Sequence, residues 1–193
     1  IAMISEDRRR YGLVLLRDVE ENVSMVALKH KFDKKVIPLK KERALVQEMI
    51  DDFAIKTPSF ETEVKTLSGG NQQKVVLAKW MAVNPKVLIM DEPTRAIDVG
   101  TKYEIYKMKN RLTHAGMAII MIESVMDELL GISDRVLIIR RGEIAGELSR
   151  EEAMPNVVMD LAVGGLKCTT NRRRRKYWRF TINTGSASVW WDF

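Results

Sequence analysis

The stretch LSGGNQQK, residues 67–74, followed by VLIMDEPT, residues 87–94, decides how this chain folds. Gly69 and Gly70 carry no Cβ, so the backbone there can come close to a ligand. From Asn71 to Met81 there is no Gly or Pro, and Val76, Leu77, Trp80 and Met81 fall on one helical stripe, which predicts a helix. Ser68 stands at the N-cap position, where its hydroxyl and the first-turn amides make a small positive cup suited to a phosphate. The same pattern also fits a plain helix start, and the turn alone does not choose between the two.

The residues after the helix narrow the choice. Pro85 closes the helical region, and Val87, Leu88, Ile89 and Met90 form the continuous apolar run of a buried parallel strand. That strand delivers Asp91 and Glu92 at its carboxyl end, where α/β sheets bind their ligands. One carboxylate there can hold a magnesium ion, and the next can orient or deprotonate an attacking water. A solvated strand-end pair is the bland reading. The LSGG turn upstream argues against it.

The order LSGGNQQK, VLIMDEPT and RAID (residues 95–98) resembles the nucleotide-binding domain of ABC ATPases. The run NQQKVVLAKW, residues 71–80, is similar to the sugar-importer subfamily, in particular to the second of the two ATPase domains its members carry in one polypeptide. The resemblance covers about Ile1 to Gly165. It implies an α/β fold: a partial P-loop NTPase-like core with a mostly parallel sheet, plus a helical subdomain. It also implies ATP and Mg2+ as cofactors.

The resemblance assigns roles by position. Ser68, Gly69, Gly70 and Gln72 belong to the signature that contacts a nucleotide held by a partner; Asp91 serves the metal and Glu92 the water. Asp98 lies in the loop that crosses the dimer interface, and Ala96 stands where most relatives have glycine, so a left-handed conformation there would be strained. Glu6 stands where the family's glutamine senses the metal and contacts membrane subunits; its bland reading is a surface acid in the charged loop Glu6 to Arg10. Ser124 occupies the switch-histidine position, as is usual in second domains of this subfamily. A serine hydroxyl can hydrogen-bond there but cannot carry the charge of an imidazolium. Glu123 and Val125 depart from the usual Ser and Glu beside it.

One motif is missing from these residues. No G-x-x-x-x-G-K-[ST] occurs in the sequence, so nothing here wraps a β-phosphate with backbone amides and a lysine. In the family each site pairs one domain's P-loop with the other domain's LSGG, and this chain keeps the LSGG half. The implied partners are a first ATPase domain or a second copy of an ABC ATPase, transmembrane permease subunits and, indirectly, a periplasmic or extracellular sugar-binding protein. The implied place is the cytoplasmic face of the cell membrane, as a peripheral protein.

Around these motifs the chain reads in order. Ile1 to Ile4 is the stub of a strand, and the chain is expected to begin mid-domain. Residues about 14–66 read as a polar helical subdomain, with VEENVSMVAL, a Lys-rich turn around Phe32 to Lys41, and KERALVQEMIDDFAI ending before Pro58. The basic stretch Lys29 to Lys41 is either a partner interface or a solvated charged face. Residues about 67–165 hold the signature and the strand-end carboxylates. Within them Val99 to Thr113 is an amphipathic helix with Ile105, Met108 and Leu112 inside; His114 follows its end as a cation compatible with the helix dipole. Ala118 to Ile122 is a strand; Arg135 to Ile139 and Glu143 to Leu148 are a strand pair closing the domain core; Glu151 to Val163 is a helix broken or started at Pro155.

Bulk composition sets outer limits. With 193 residues, 46% hydrophobic and 30% charged, the chain can bury a real core. A single cysteine, Cys168, excludes an internal disulfide and a Cys-based zinc cluster, in keeping with a reducing cytosol. No secretory leader is expected, and no apolar run in the sequence reaches membrane-spanning length. The tail 166–193 holds seven Lys or Arg and one acid, which equals the whole net charge of +6. Its RRRRKYW run and Trp190–Trp191 could bind phosphate backbones or an anionic membrane, but the composition shift favours a disordered or unrelated extension, and nucleic acid is not the expected partner. The expected function is the ATP-binding part of an importer energising monosaccharide uptake. The alternative is a non-hydrolytic interaction module or an inert truncated product. A soluble relative acting on DNA or ribosomes would normally keep the switch histidine that Ser124 replaces.

Overall fold

The structure is a computed structural model that describes residues 1–31 and 38–164. The centre of the Lys-rich turn, 32–37, and the basic tail beyond 164 lie outside the described residues. The described chain divides into two compact units, Ile1–Ile122 and residues 123–164.

The first unit is built on a three-stranded parallel sheet in the order β1-β2-β3, with β1 Ala2–Ile4, β2 Val87–Asp91 and β3 Ala118–Ile122. Met3 is in register with Ile89, and Ile89 with Ile120. Ala2, Ile4, Leu88 and Met90 therefore share a face, and all four are buried in the core. That core is completed by α1 Val19–Lys31, α2 Leu39–Asp52, α3 Gly69–Met81 and α4 Val99–His114. Helix α1 begins where Asp18 accepts the Glu21 amide, and it carries Glu20 and Glu21 in its first turn and Lys29, His30 and Lys31 in its last, as the helix dipole prefers. Ile105 and Met108 of α4 point inward, and Leu112 packs against the same core.

Helix α3 occupies the middle of this unit, touching α1, α2, β1, α4 and the turn after β1. The sequence predicts one apolar stripe for it, but Gln72, Gln73, Lys74 and Lys79 are buried as well. Surrounded on several sides, α3 must bury its polar residues too, and Gln72, Lys74 and Lys79 are hydrogen-bonded or paired as burial requires. Lys74 donates to the Ala54 carbonyl at 3.0 Å and pairs with Glu104 at 2.5 Å. Lys79 donates to the Gly12 carbonyl, and burial holds its amine below the ordinary lysine value.

The structure corrects two expectations. The charged run after β1 is not an open loop: Arg8–Gly12 wind into a π-helical turn whose N-cap, Asp7, accepts the Arg9 and Arg10 amides at 3.1 Å each. The strand pair does not close the parallel core. Strands β4 Arg135–Arg140 and β5 Glu143–Ser149 form their own antiparallel sheet in the second unit, together with α5 Met126–Ile132 and α6 Pro155–Val163. Val136, Ile138, Val158 and Leu161 make a separate small core. The hairpin turns at Arg141 and Gly142, both with positive φ (51° and 81°), the pairing that the right-handed twist of a tight hairpin demands. Among the described residues no helix is long and apolar enough to cross a membrane.

Candidate functional site

The sequence places the signature turn at the start of α3, and the structure builds it as a capped helix N-terminus. Ser68 is extended (φ −60°, ψ 156°), and its Oγ accepts from the Asn71 amide at 3.4 Å and from Asn71 Nδ2 at 3.0 Å. The Gln72 amide makes the first helical bond, to the Ser68 carbonyl at 2.9 Å. Helix geometry leaves the Gly69 and Gly70 amides without an intrahelical acceptor. Asn71 Oδ1 also accepts from the Lys56 amide at 2.9 Å, which ties the turn to the helical segment before it.

Gly70 leaves no room for a side chain against Thr101, whereas a side chain on Gly69 would have to displace the end of Arg8. A Cβ on Gly69 would lie 2.7 Å from Arg8 Nη2, with the Ala96 carbonyl 3.7 Å away. A Cβ on Gly70 would lie 2.6 Å from Thr101 Cγ2 and 2.7 Å from Thr101 Oγ1. Gln72, expected beside the ligand, is buried, and its amide donates to the Val64 and Leu67 carbonyls at 3.2 Å each. Its Oε1 accepts from Arg9 Nε at 3.4 Å. It holds the signature turn from beneath and does not share the exposed face of Ser68.

The carboxylate pair stands where parallel-strand topology puts it. Asp91 ends β2, paired in register with Ile122, and Glu92 follows with its amide donating to the Ile122 carbonyl at 3.0 Å. Both residues are half-buried. Glu92 has φ +45°, a left-handed conformation that a non-glycine residue holds only when its surroundings fix it. Ala96 has φ +55°, the strained conformation anticipated where glycine is usual. Two residues later Asp98 caps α4: its Oδ1 accepts the Thr101 amide at 2.9 Å and its Oδ2 the Thr101 hydroxyl at 2.8 Å. Those two bonds hold the Asp98 carboxyl below its ordinary value.

Glu6 pairs with Arg95, and Arg8 Nη1 donates to the Arg95 carbonyl at 3.3 Å. The post-β1 turn, the loop 95–98 and the signature turn thus meet around Arg8, a residue hidden in a charged run that gives no sequence signal of its own. Thr101 is the other position missed, since nothing local marks it as the neighbour of Gly70. Ser124 lies in the second unit, exposed, with its amide donating to Glu123 Oε1 at 3.2 Å.

These residues fit a phosphate and a magnesium ion in part. The bare Gly69 and Gly70 leave first-turn amides for an anion, with Arg8 close by. Among the described residues no group of three or more His, Cys, Asp or Glu side chains could hold a metal alone. A carboxylate pair suits magnesium only when waters and phosphate oxygens complete its octahedron.

The sequence profile described as ABC transporter matches residues 3–95, which span β1, the signature and the carboxylates. Over 165 residues the chain is 50% identical to the ribose import ATP-binding protein RbsA of Bacillus licheniformis, covering 86% of this chain and 34% of that protein. It is 48% identical over 165 residues to the xylose import ATP-binding protein XylG of Geobacillus kaustophilus, covering 86% of this chain and 33% of the relative. The chain belongs to the ABC transporter family. As a member of it, the chain spans about a third of the length of the relatives it matches. The ABC fold is seen again in solved structures. The ATP-binding cassette MJ0796 bound to ADP and Pi superposes with a TM-score of 0.63 at 23% identity, covering 74% of this chain and 60% of that one. The cassette cbiO1 of Clostridium perfringens gives 0.65 at 22% identity, covering 82% and 60%.

Proposed function

We propose that this chain is the signature-bearing part of an ATP-binding protein that energises monosaccharide import, completing in trans an ATP site whose P-loop belongs to a partner. The observation that carries the reading is the start of α3: an intact capped turn with bare glycines. Ser68, Gly69 and Gly70 present a hydroxyl and two amides to the terminal phosphate of an ATP held by the partner. Gln72 acts at one remove, holding that turn on the Val64 and Leu67 carbonyls. Magnesium, when bound, neutralises charge on phosphate oxygens. Asp91 would hold it through water or directly, and Glu92 would orient the attacking water of the chain's own half-site. Asp98 links the two half-sites through the loop 95–98, and Ser124 offers a hydroxyl in the switch position. Glu6 contributes through Arg95, its partner in the structure. The ribose and xylose importers among the relatives support a monosaccharide cargo. In this reading the chain works at the cytoplasmic face of the membrane, against permease subunits fed by a sugar-binding protein.

The test is reconstitution. The chain is mixed with a P-loop-bearing first domain and ATP turnover is measured with and without magnesium. Stimulation that Gly69→Asp abolishes is expected; no stimulation, or stimulation indifferent to Gly69→Asp, rejects the reading.

A second reading is a non-hydrolytic interaction module. A thermal melt with and without ATP and magnesium separates it, because a ligand bound only by the native state raises apparent stability. A partner-dependent shift supports the ATP site, and no shift under any condition supports the module.

A further inference from the structure

Three segments distant in sequence converge on Gly69, and Arg8 is the side chain between them. Its Nη2 lies 2.7 Å from the position a Gly69 Cβ would take, and its Nη1 donates to the Arg95 carbonyl at 3.3 Å. Its Nε is buried without a hydrogen-bond partner. Arg95 is held from the other side as well, its guanidinium paired with Glu6. The next residue, Ala96, adopts φ +55° and aims its carbonyl to within 3.7 Å of the same Gly69 position. A non-glycine residue keeps that conformation only if its neighbours over-determine it, and the Glu6 and Arg8 contacts to Arg95 do so. Arg8 is itself fixed: Asp7 caps the turn that carries it, and the Arg8 Cβ lies 3.4 Å from the position of a Cβ on Gly12.

We propose that Arg8 is a positioning residue that keys the Ser68–Gly70 turn to the loop leading to Asp98. The planar guanidinium does this in one piece, with one edge against the glycine backbone and one N–H on the Arg95 carbonyl. The direction of the first-turn amides of α3 is then set jointly with the loop 95–98, so that a shift in either loop is felt at the other. The absent Gly69 side chain is the slot that admits Arg8. This role rests on the reading that the signature amides meet a partner's nucleotide, but it is decided on the chain alone.

The experiment is amide NMR and hydrogen exchange on the full 193-residue chain, comparing wild type with Arg8→Ala, Arg8→Gln and Gly69→Ala. Arg8→Ala should shift the Gly69, Gly70 and Ile97 amide signals together and speed exchange in the turn, with signals of the second unit unchanged. Arg8→Gln, which keeps a donor but not the planar fork, controls for any folding loss in the alanine variant and should show the same coupled shifts. Gly69→Ala displaces Arg8 and should reproduce the pattern, with little added in the double variant Gly69→Ala/Arg8→Ala. Unchanged Gly69 and Ile97 signals in both Arg8 variants, or fully additive effects in the double variant, overturn the proposal. In the reconstituted mixture, Arg8→Ala should lower turnover about tenfold to a hundredfold as misplacement effects do, with the KM for ATP nearly unchanged. A mixture inactive even with wild-type chain rejects the functional reading and leaves the NMR result to judge Arg8 separately. An active mixture indifferent to Arg8 rejects the positioning role.

Discussion

Gly70 of α3 and Thr101 of α4 touch so closely that a methyl group on the glycine would sit 2.6 Å from the threonine Cγ2. Thr101 cannot swing aside freely, because Asp98 holds both its amide and its hydroxyl. The start of the signature helix and the start of the helix after the carboxylates are one packed joint.

Gly70→Ala should therefore destabilise the chain despite better helix propensity. Alanine gains up to about 1 kcal/mol in a helix, whereas overpacking against a pinned neighbour costs about 1–3 kcal/mol. Urea denaturation should show a net loss, and Gly70→Ala/Thr101→Ala should recover part of it.

Asp98 makes acid stability sensitive to this joint. Its folded carboxyl lies below the ordinary 3.8 because of the two Thr101 hydrogen bonds. A depressed acid binds fewer protons folded than unfolded, so its contribution is complete above 3.8 and is lost as pH falls through the lower folded value. Urea midpoints measured from neutral pH into acid should show wild type and Asp98→Asn converging below that point, with wild type the more stable at neutral pH.

Ala96→Gly tests the strain at φ +55°. Leaving a left-handed alanine costs roughly 1–2 kcal/mol, and glycine's extra unfolded freedom costs roughly 0.5–1 kcal/mol, so a net gain near 0.5 kcal/mol is expected. A raised urea midpoint with an unchanged slope would be the signature.

Two neighbouring polar residues of α1 should respond in opposite directions. Asn22 is buried and fully used: it accepts the Val14 amide at 2.8 Å and donates to the Val14 and Asp18 carbonyls at 3.0 and 2.8 Å. Ser24 is equally buried, and its Oγ has no partner. Asn22→Ala should cost about 1–3 kcal/mol, because the Val14 amide is left dry, while Ser24→Ala should gain about 1 kcal/mol. Thermal melts of the two variants give the comparison directly.

The features legible in the sequence alone are local ones. The Ser68 cap, the inner stripe of α4 and the Val87–Met90 strand depend on neighbours a few residues apart, and that spacing is written in the chain. The motif order carried the family and hence the parallel sheet, including Asp91 and Glu92 at the end of β2. Tertiary structure decided the rest. The burial of Gln72, Lys74 and Lys79 in α3 comes from its central place, which no periodicity encodes. The winding of Arg8–Gly12, the seating of Arg8 in the Gly69 slot and the contact of Gly70 with Thr101 depend on loops meeting at the ends of strands far apart in sequence. Such contacts are fixed by packing geometry, and only the fold brings the residues together.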